Sequence, residues 1–312
     1  MNEFKTYRIL LNDFEKAWGF TASKKFASNF DRFDFEYTPL NEENSREVTL
    51  KILVELEREI ELAGPHRLSQ WEKGWGENLT EFNASNKIDS LAPKYFSKYP
   101  IIRWRQNFIS PNSRNMEQDG LKLIIQWLLE EYASDCSSLY EFGCGTGSNL
   151  VWIRELMPDI ELTGLDWAES SQQIIELVST RSSDAKLHSK NFNYFKPDFN
   201  VELKQNAAVL TVASLEQTGK NYNDFLEYLL AKRPKVVIHI EPMWDSLDPN
   251  NLLDYLSIRY MKKRNYLDGF REYIWSLSKD GKIEVKVDRR TYLGSLYIDG
   301  YSVLVWKPEY EK

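Results

Sequence analysis

The stretch LYEFGCGTGS, residues 139–148, sets three glycines at alternate positions, Gly143, Gly145 and Gly147, between an apolar strand pattern and an apolar helix pattern. Glycine enters left-handed backbone conformations without steric cost and lets the chain approach a ligand closely, while the helix that follows offers unpaired N–H groups at its start. Strand, glycine turn and helix in this order constrain the chain to an open α/β sheet. In such sheets ligands sit beyond the carboxyl ends of the strands, where the strand order reverses. Asp166 ends the next apolar run, ELTGLD, and is placed to accept hydrogen bonds from a ribose diol.

The pattern around this turn continues the theme. DGLKLIIQWLLEEYA, SNLVWIRELMP, SSQQIIELVSTR and YNDFLEYLLAKR carry helical periodicity, while SSLYEFG, ELTGLD, NAAVLTVAS and KVVIHIEP read as strands. Alternation of this kind builds a doubly wound, mostly parallel sheet. The last segment, KIEVKVDRRTYLGSLYIDGYSVLVWKP, holds two strands with no room for a helix between them, which predicts an antiparallel pair at the sheet edge. Residues 1–118 show helical patterns broken by turn signals and read as a mainly helical N-terminal extension or cap; residues 119–312 form the ligand-binding domain. The clearest helix of the extension is SREVTLKILVELEREIELAGP, with Ser45 as N-cap and Gly64-Pro65 as its stop.

Composition excludes several classes. The formal charge of -7 is dispersed along the 312 residues, which disfavours nucleic acid and anionic membranes as partners. No apolar run approaches the ~18 residues of a membrane span, and MNEFKTYRILLNDFEK lacks the apolar stretch of a secretory signal. With only Cys136 and Cys144 and no CxxC pair, a cytoplasmic location is expected. The three histidines are far apart and no metal site is expected.

A dinucleotide fingerprint, GxGxxG, would need glycine at position 148, where the chain has Ser148, and Glu141 would repel a pyrophosphate. A carboxylate there suits a cationic or zwitterionic cofactor. The run E-F-G-C-G-T-G, followed by Asp166-Trp167, resembles motifs one and two of the class I S-adenosylmethionine-dependent methyltransferases. The resemblance covers roughly residues 119–308 and implies a seven-stranded sheet whose last strand is antiparallel. It also implies S-adenosylmethionine as cofactor, with Gly143, Gly145 and Gly147 against its methionine portion, Glu141 toward its amino end, Asp166 on the ribose and Trp167 beside the adenine. The acid that binds the adenine amino group in the family is absent, and Asn191 or Asn193 stands there instead. AVLTVASLEQTG is similar to the family's fourth motif, which frequently reads L-E-H; Gln217 replaces the histidine, and Ser214 in the same turn joins the expected cofactor residues.

Methyl transfer mainly requires alignment of the acceptor and exclusion of water, with a base only where the acceptor is a hydroxyl of high pKa. Residues at the ends of the fourth and fifth strands are the candidates: Glu241 as the principal catalytic carboxylate and Glu216 as the second. Against this, Glu241 could instead cap a turn or pair with an arginine. His239, within its strand, reads as a buried neutral histidine. The pairs Arg103/Arg105 and Arg289/Arg290 read as ion-pairing residues, and Trp71, Trp75, Trp104 and Tyr95 as an aromatic wall over the site. The acceptor is expected to be a hydroxyl or amine of a small polar metabolite, a sugar or nucleotide-linked sugar being favoured. The alternatives are a protein or peptide acceptor, or a non-catalytic cofactor-binding partner protein.

Overall fold

A computed structural model describes residues 5–309. Its centre is a seven-stranded sheet built from β5 (Ser138–Phe142), β6 (Glu161–Asp166), β7 (Leu187–Asn191), β8 (Ala207–Val212), β9 (Val236–Glu241), β10 (Ile283–Arg290) and β12 (Ser302–Pro308). The spatial order is β7-β6-β5-β8-β9-β12-β10, with β12 antiparallel to both of its neighbours and the other contacts parallel. Strands β5, β8 and β9 are buried along their whole length, which explains why their sequences run apolar without alternation. The helices expected between them are α5 (Met116–Leu128), α6 (Ser148–Leu156), α7 (Glu169–Ser182) and α8 (Asn223–Lys232). Two more, α9 (Leu252–Lys263) and α10 (Phe270–Lys279), fill the connection from β9 to β10.

The N-terminal region is mainly helical, as expected, and carries short strands that the sequence did not announce. It contains α1 (Leu11–Trp18), α2 (Lys24–Phe30), α3 (Glu42–Glu57) and α4 (Leu68–Ser85), and also β1 (Tyr7–Arg8), β2 (Glu36–Pro39), β3 (Ile102–Trp104) and β4 (Asn107–Pro111). These short strands form a second sheet, β1-β2-β4-β3-β11, whose last member, β11 (Leu293–Gly294), comes from the far end of the chain. Strands of two to five residues carry too little alternation to stand out from a sequence. Helix α3 starts earlier than Ser45: Asn41 caps it, its Oδ1 accepting from the Asn44 N–H at 2.7 Å, and the helix stops at Glu57, well before Gly64.

One apolar core joins the two regions, running from Ile9, Phe14 and Trp18 of the extension to Leu139, Ile153 and Val303 of the sheet. Trp104, expected in the aromatic wall, is instead buried in this core against Phe14. Three of the four arginines read as ion-pairing residues are structural. Arg103 donates to the carbonyls of Leu253, Leu296 and Tyr297, and Arg105 pairs with Asp13 at the surface. Arg290 donates two bonds to Asp254 (2.7 and 2.6 Å) and two to Asp299 (3.0 and 2.7 Å), tying α9, β10 and the segment after β11 together. Arg290→Ala leaves two buried carboxylates without their cation, and a loss of about 3–5 kcal/mol is expected in urea unfolding.

Candidate active site

Gly143, Gly145 and Gly147 all take positive φ, +68°, +52° and +71°, which turns the chain sharply from β5 into α6. The glycines are required by space as well. A Cβ on Gly143 would lie 2.4 Å from Ser214 Cβ, and one on Gly145 would lie 2.8 Å from Trp75 Cζ2. Asp166 holds the turn from the neighbouring strand, its Oδ2 accepting from the Gly145 N–H and its Oδ1 from the Ala168 N–H, both at 2.9 Å. Each carboxylate oxygen keeps a lone pair for a ligand.

Around this turn lies a cleft of about 800 Å³, counting its open mouth. Gly143, Gly145, Asp166, Trp167 and Ser214 line it, as do Trp71, Trp75 and Tyr95 from the extension. Trp167 and Phe195 set their rings 5.7 Å apart at one end, and the Tyr194 hydroxyl bonds Ser214 Oγ at 3.0 Å. Helix α4 is docked over the cleft by Glu72, whose carboxylate accepts from the N–H groups of Glu169 (2.7 Å) and Ser170 (2.9 Å) and so caps α7, which has no side-chain cap of its own.

Two expected cofactor residues stand elsewhere. Asn191 pairs in register with Asp166 but is exposed, outside the cleft, and donates to the Trp167 carbonyl; Phe192 and Tyr194 occupy the wall instead. Glu141 lies beneath the glycine turn, fully enclosed, with Oε1 accepting from Asn149 Nδ2 at 2.7 Å and Oε2 unpaired. Asn149 is the group that reaches the cleft. The aromatic loop after β7 and the asparagine on α6 gave no sequence signal beyond their composition.

Beyond Ala213 and Gln217, which border both spaces, a second and larger chamber, about 1880 Å³ with its open solvent included, lies between the extension and the sheet. Its wall carries Glu216, Glu117, Arg67 and Arg264 among six tyrosines. Glu241 does not line either space: it is 0% exposed, and its oxygens accept from the N–H groups of Ser214, Leu215 and Glu216 at 3.1–3.3 Å. Its role as principal catalytic carboxylate is therefore corrected: it caps the turn after β8, and Glu216 is the carboxylate that faces the chamber. Gln217, in place of the family's histidine, donates to Glu216 Oε1 at 2.9 Å and accepts from Arg67 Nη1 at 2.6 Å. His239 is buried, accepts from Trp306 Nε1 at 3.1 Å and contacts Thr211 Oγ1 at 2.9 Å; burial pushes its pKa down to about 3. It stays neutral and away from both spaces. Among the described residues no group of three His, Cys, Asp or Glu is placed to hold a metal ion, and no helix is long and apolar enough to cross a membrane.

In this sheet the first strand β5 stands at the reversal of order, the glycine turn lies at its carboxyl end, and an antiparallel strand is inserted beside the fifth. This is the doubly wound sheet with an antiparallel last strand that the resemblance of the glycine run implied. No family model matches the chain, and no curated protein matches it either. Solved structures do. The N-terminal domain of EvdMO1 with SAH bound is 14% identical, with 60% of this chain and 80% of that one covered and a TM-score of 0.41. The plantazolicin methyltransferase BpumL in complex with SAH is 10% identical over 79% of this chain and 98% of its own, at a TM-score of 0.44. Magnesium protoporphyrin IX methyltransferase from Synechocystis PCC 6803 with bound SAM is 11% identical over 63% and 81%, also at 0.44. At these identities and TM-scores the likeness assigns nothing to this chain.

Burial raises the carboxyls beneath and beside the cleft: Glu141 to about 8, helped by the charge of Asp166, and Asp166 itself to about 6 against the pull of its backbone bonds. Glu117 rises to about 7 for the same reason, against its bond from Tyr301. A carboxyl raised on folding favours the folded state while protonated, so its contribution is complete below the unfolded pKa near 4.5 and is lost as pH climbs through the folded value. The ligand-free protein should therefore melt at a higher temperature at pH 6 than at pH 8. Calorimetry across that window tests this, and Glu141→Gln should remove a large part of the difference.

Proposed function

We propose that the chain is an S-adenosylmethionine-dependent methyltransferase that methylates a hydroxyl or amine of a small polar metabolite, a sugar or nucleotide-linked sugar being the favoured kind. The observation that carries this reading is the junction of two spaces at Ala213 and Gln217, a glycine-lined cleft with a ribose-type carboxylate on one side and a polar, aromatic chamber on the other. The cleft fits the cofactor. Gly143 and Gly145 put bare backbone on its wall, Asp166 has lone pairs to spare, and Trp167 with Phe195 offers an aromatic face. Bound there, S-adenosylmethionine supplies an electrophilic methyl group.

The chain's own part is to orient the acceptor, keep water away and manage one proton. Gln217, itself held by Arg67, fixes the Glu216 carboxylate, and Glu241 fixes the backbone of the same turn. Burial raises both carboxyls of the pair, and the nearby charge of Glu216 pushes Glu241 further, well above the usual carboxylate range, so Glu216 ionises first and can receive a proton from a hydroxyl acceptor. The cap residues Trp71, Trp75 and Tyr95 cover the junction. A chamber bounded by the extension favours a small acceptor over an extended peptide groove.

A thermal-shift comparison of S-adenosylmethionine, S-adenosylhomocysteine and NADH tests the cofactor. Both adenosyl compounds should raise the midpoint by several degrees near a hundredfold their Kd, and NADH should not. A shift with NADH alone would sink the reading. Asp166→Ala should weaken S-adenosylhomocysteine binding at least tenfold by calorimetry. Glu216→Gln should leave that affinity unchanged while lowering methyl transfer from labelled cofactor by about 10²-fold, the usual scale of a lost proton acceptor.

A further inference from the structure

Helix α4 is tied down firmly in one half and lightly in the other. From Asn78 onward the ties are many: Asn78, only 1% exposed, donates through Nδ2 to the carbonyls of Ser90 (2.8 Å) and Ala92 (3.2 Å). Phe82 is buried, and Arg181 of α7 donates to its carbonyl at 3.0 Å and to Asn83 Oδ1 at 2.9 Å. Just ahead of the helix, Arg67 is fixed by its bond to Gln217. Between these two points, among the described residues, the hydrogen bonds of residues 68–76 to the sheet domain all run through Glu72: its carboxylate accepts from the N–H groups of Glu169 and Ser170, and its carbonyl accepts from Ser170 Oγ at 3.2 Å.

That lightly held stretch is the one that roofs the site. Trp71 and Trp75, one turn apart, stack with their ring centroids 5.3 Å apart and border both the cleft and the chamber. The Trp75 ring stands against the glycine turn itself, which is why a Cβ on Gly145 would meet it. The run WEKGWGEN puts Gly74 and Gly76 on either side of Trp75, inside the helix. Neither takes a positive φ, and a Cβ on either would meet nothing within 4 Å. Backbone geometry and packing thus leave both positions open to alanine, which holds a helix better than glycine. The two glycines loosen α4 where its firmly held half gives way to the roof, and local opening is drawn to such weak points. The latch at Glu72 sits on the first N–H groups of α7, in the same strand-to-helix connection that begins at Asp166.

We propose that residues 68–76 are a lid over the cofactor cleft, hinged at Gly74 and Gly76 and latched to α7 by Glu72, and that its opening sets the rate at which the cofactor enters and its product leaves. This rests on the cofactor reading and goes beyond it, because it assigns a movement and a latch rather than a ligand.

The test combines amide hydrogen exchange and stopped-flow binding on the full chain, with S-adenosylhomocysteine as the probe. In the free protein the amides of residues 68–76 should exchange faster than those of 77–85, and saturation with the probe should protect them. The double variant Gly74→Ala, Gly76→Ala should slow both association and release of the probe about fivefold, the scale of glycine's cost in a helix interior, with equilibrium affinity little changed. Glu72→Ala should speed release about fivefold, the scale of a lost helix cap, and should speed exchange in residues 68–76 while residues 77–85 stay as in wild type. Uniform exchange along α4, or release rates that neither variant changes, would overturn the lid and leave the cofactor reading standing. A wild-type protein that does not bind S-adenosylhomocysteine at all would overturn both.

Discussion

The geometry of the site depends on one buried carboxylate that touches no proposed ligand. Glu241, at the end of β9, accepts backbone N–H groups from three successive residues of the turn that leaves β8. A buried carboxyl group is costly unless it is hydrogen-bonded, and a short turn exposes N–H groups that need acceptors, so each solves the problem of the other. The result is a rigid partition: Ser214 faces the cleft, Glu216 faces the chamber, and Gln217 borders both. Two strand ends thus fix the distance across which an acceptor and a cofactor would meet.

The N-terminal extension completes the enclosure. It shares its core with the sheet, contributes a strand ladder closed by β11, and lays α4 across the glycine turn through Glu72 and Trp75. Removing the extension would uncover apolar surface on the sheet as well as both ligand spaces. Its presence explains why so many carboxyls around the site are pushed upward: the groups are needed near the ligands, and the cap that excludes water also removes their solvation.

Much of this was legible in the sequence because local chemistry dictated it. The three glycines, Asp166 and the unbroken apolar strands announce themselves, since positive φ, close approach and burial on both faces each demand particular residues. Glu241 was visible as a candidate but its role was not: a carboxylate at a strand end can meet a substrate or a neighbouring turn, and only the register of β8 against β9 decides. Glu117 was hidden for a related reason. An acid in the first turn of a helix is what the helix dipole favours anywhere, so its burial beside Tyr301, which is 184 residues away in sequence, left no local mark. The short strands of the extension, and Asn191 turned outward beside Phe192, likewise depend on contacts between distant segments.

The central claim is that the cleft at the glycine turn and the chamber beyond Gln217 are the two halves of one reaction site. A crystal structure of the protein with S-adenosylhomocysteine tests it most directly. The account predicts the ribose diol on Asp166, the adenine beside Trp167 and Phe195, and the sulfur directed toward the junction at Ala213 and Gln217. A ligand bound elsewhere, or one in the cleft whose sulfur points away from the chamber, would contradict it.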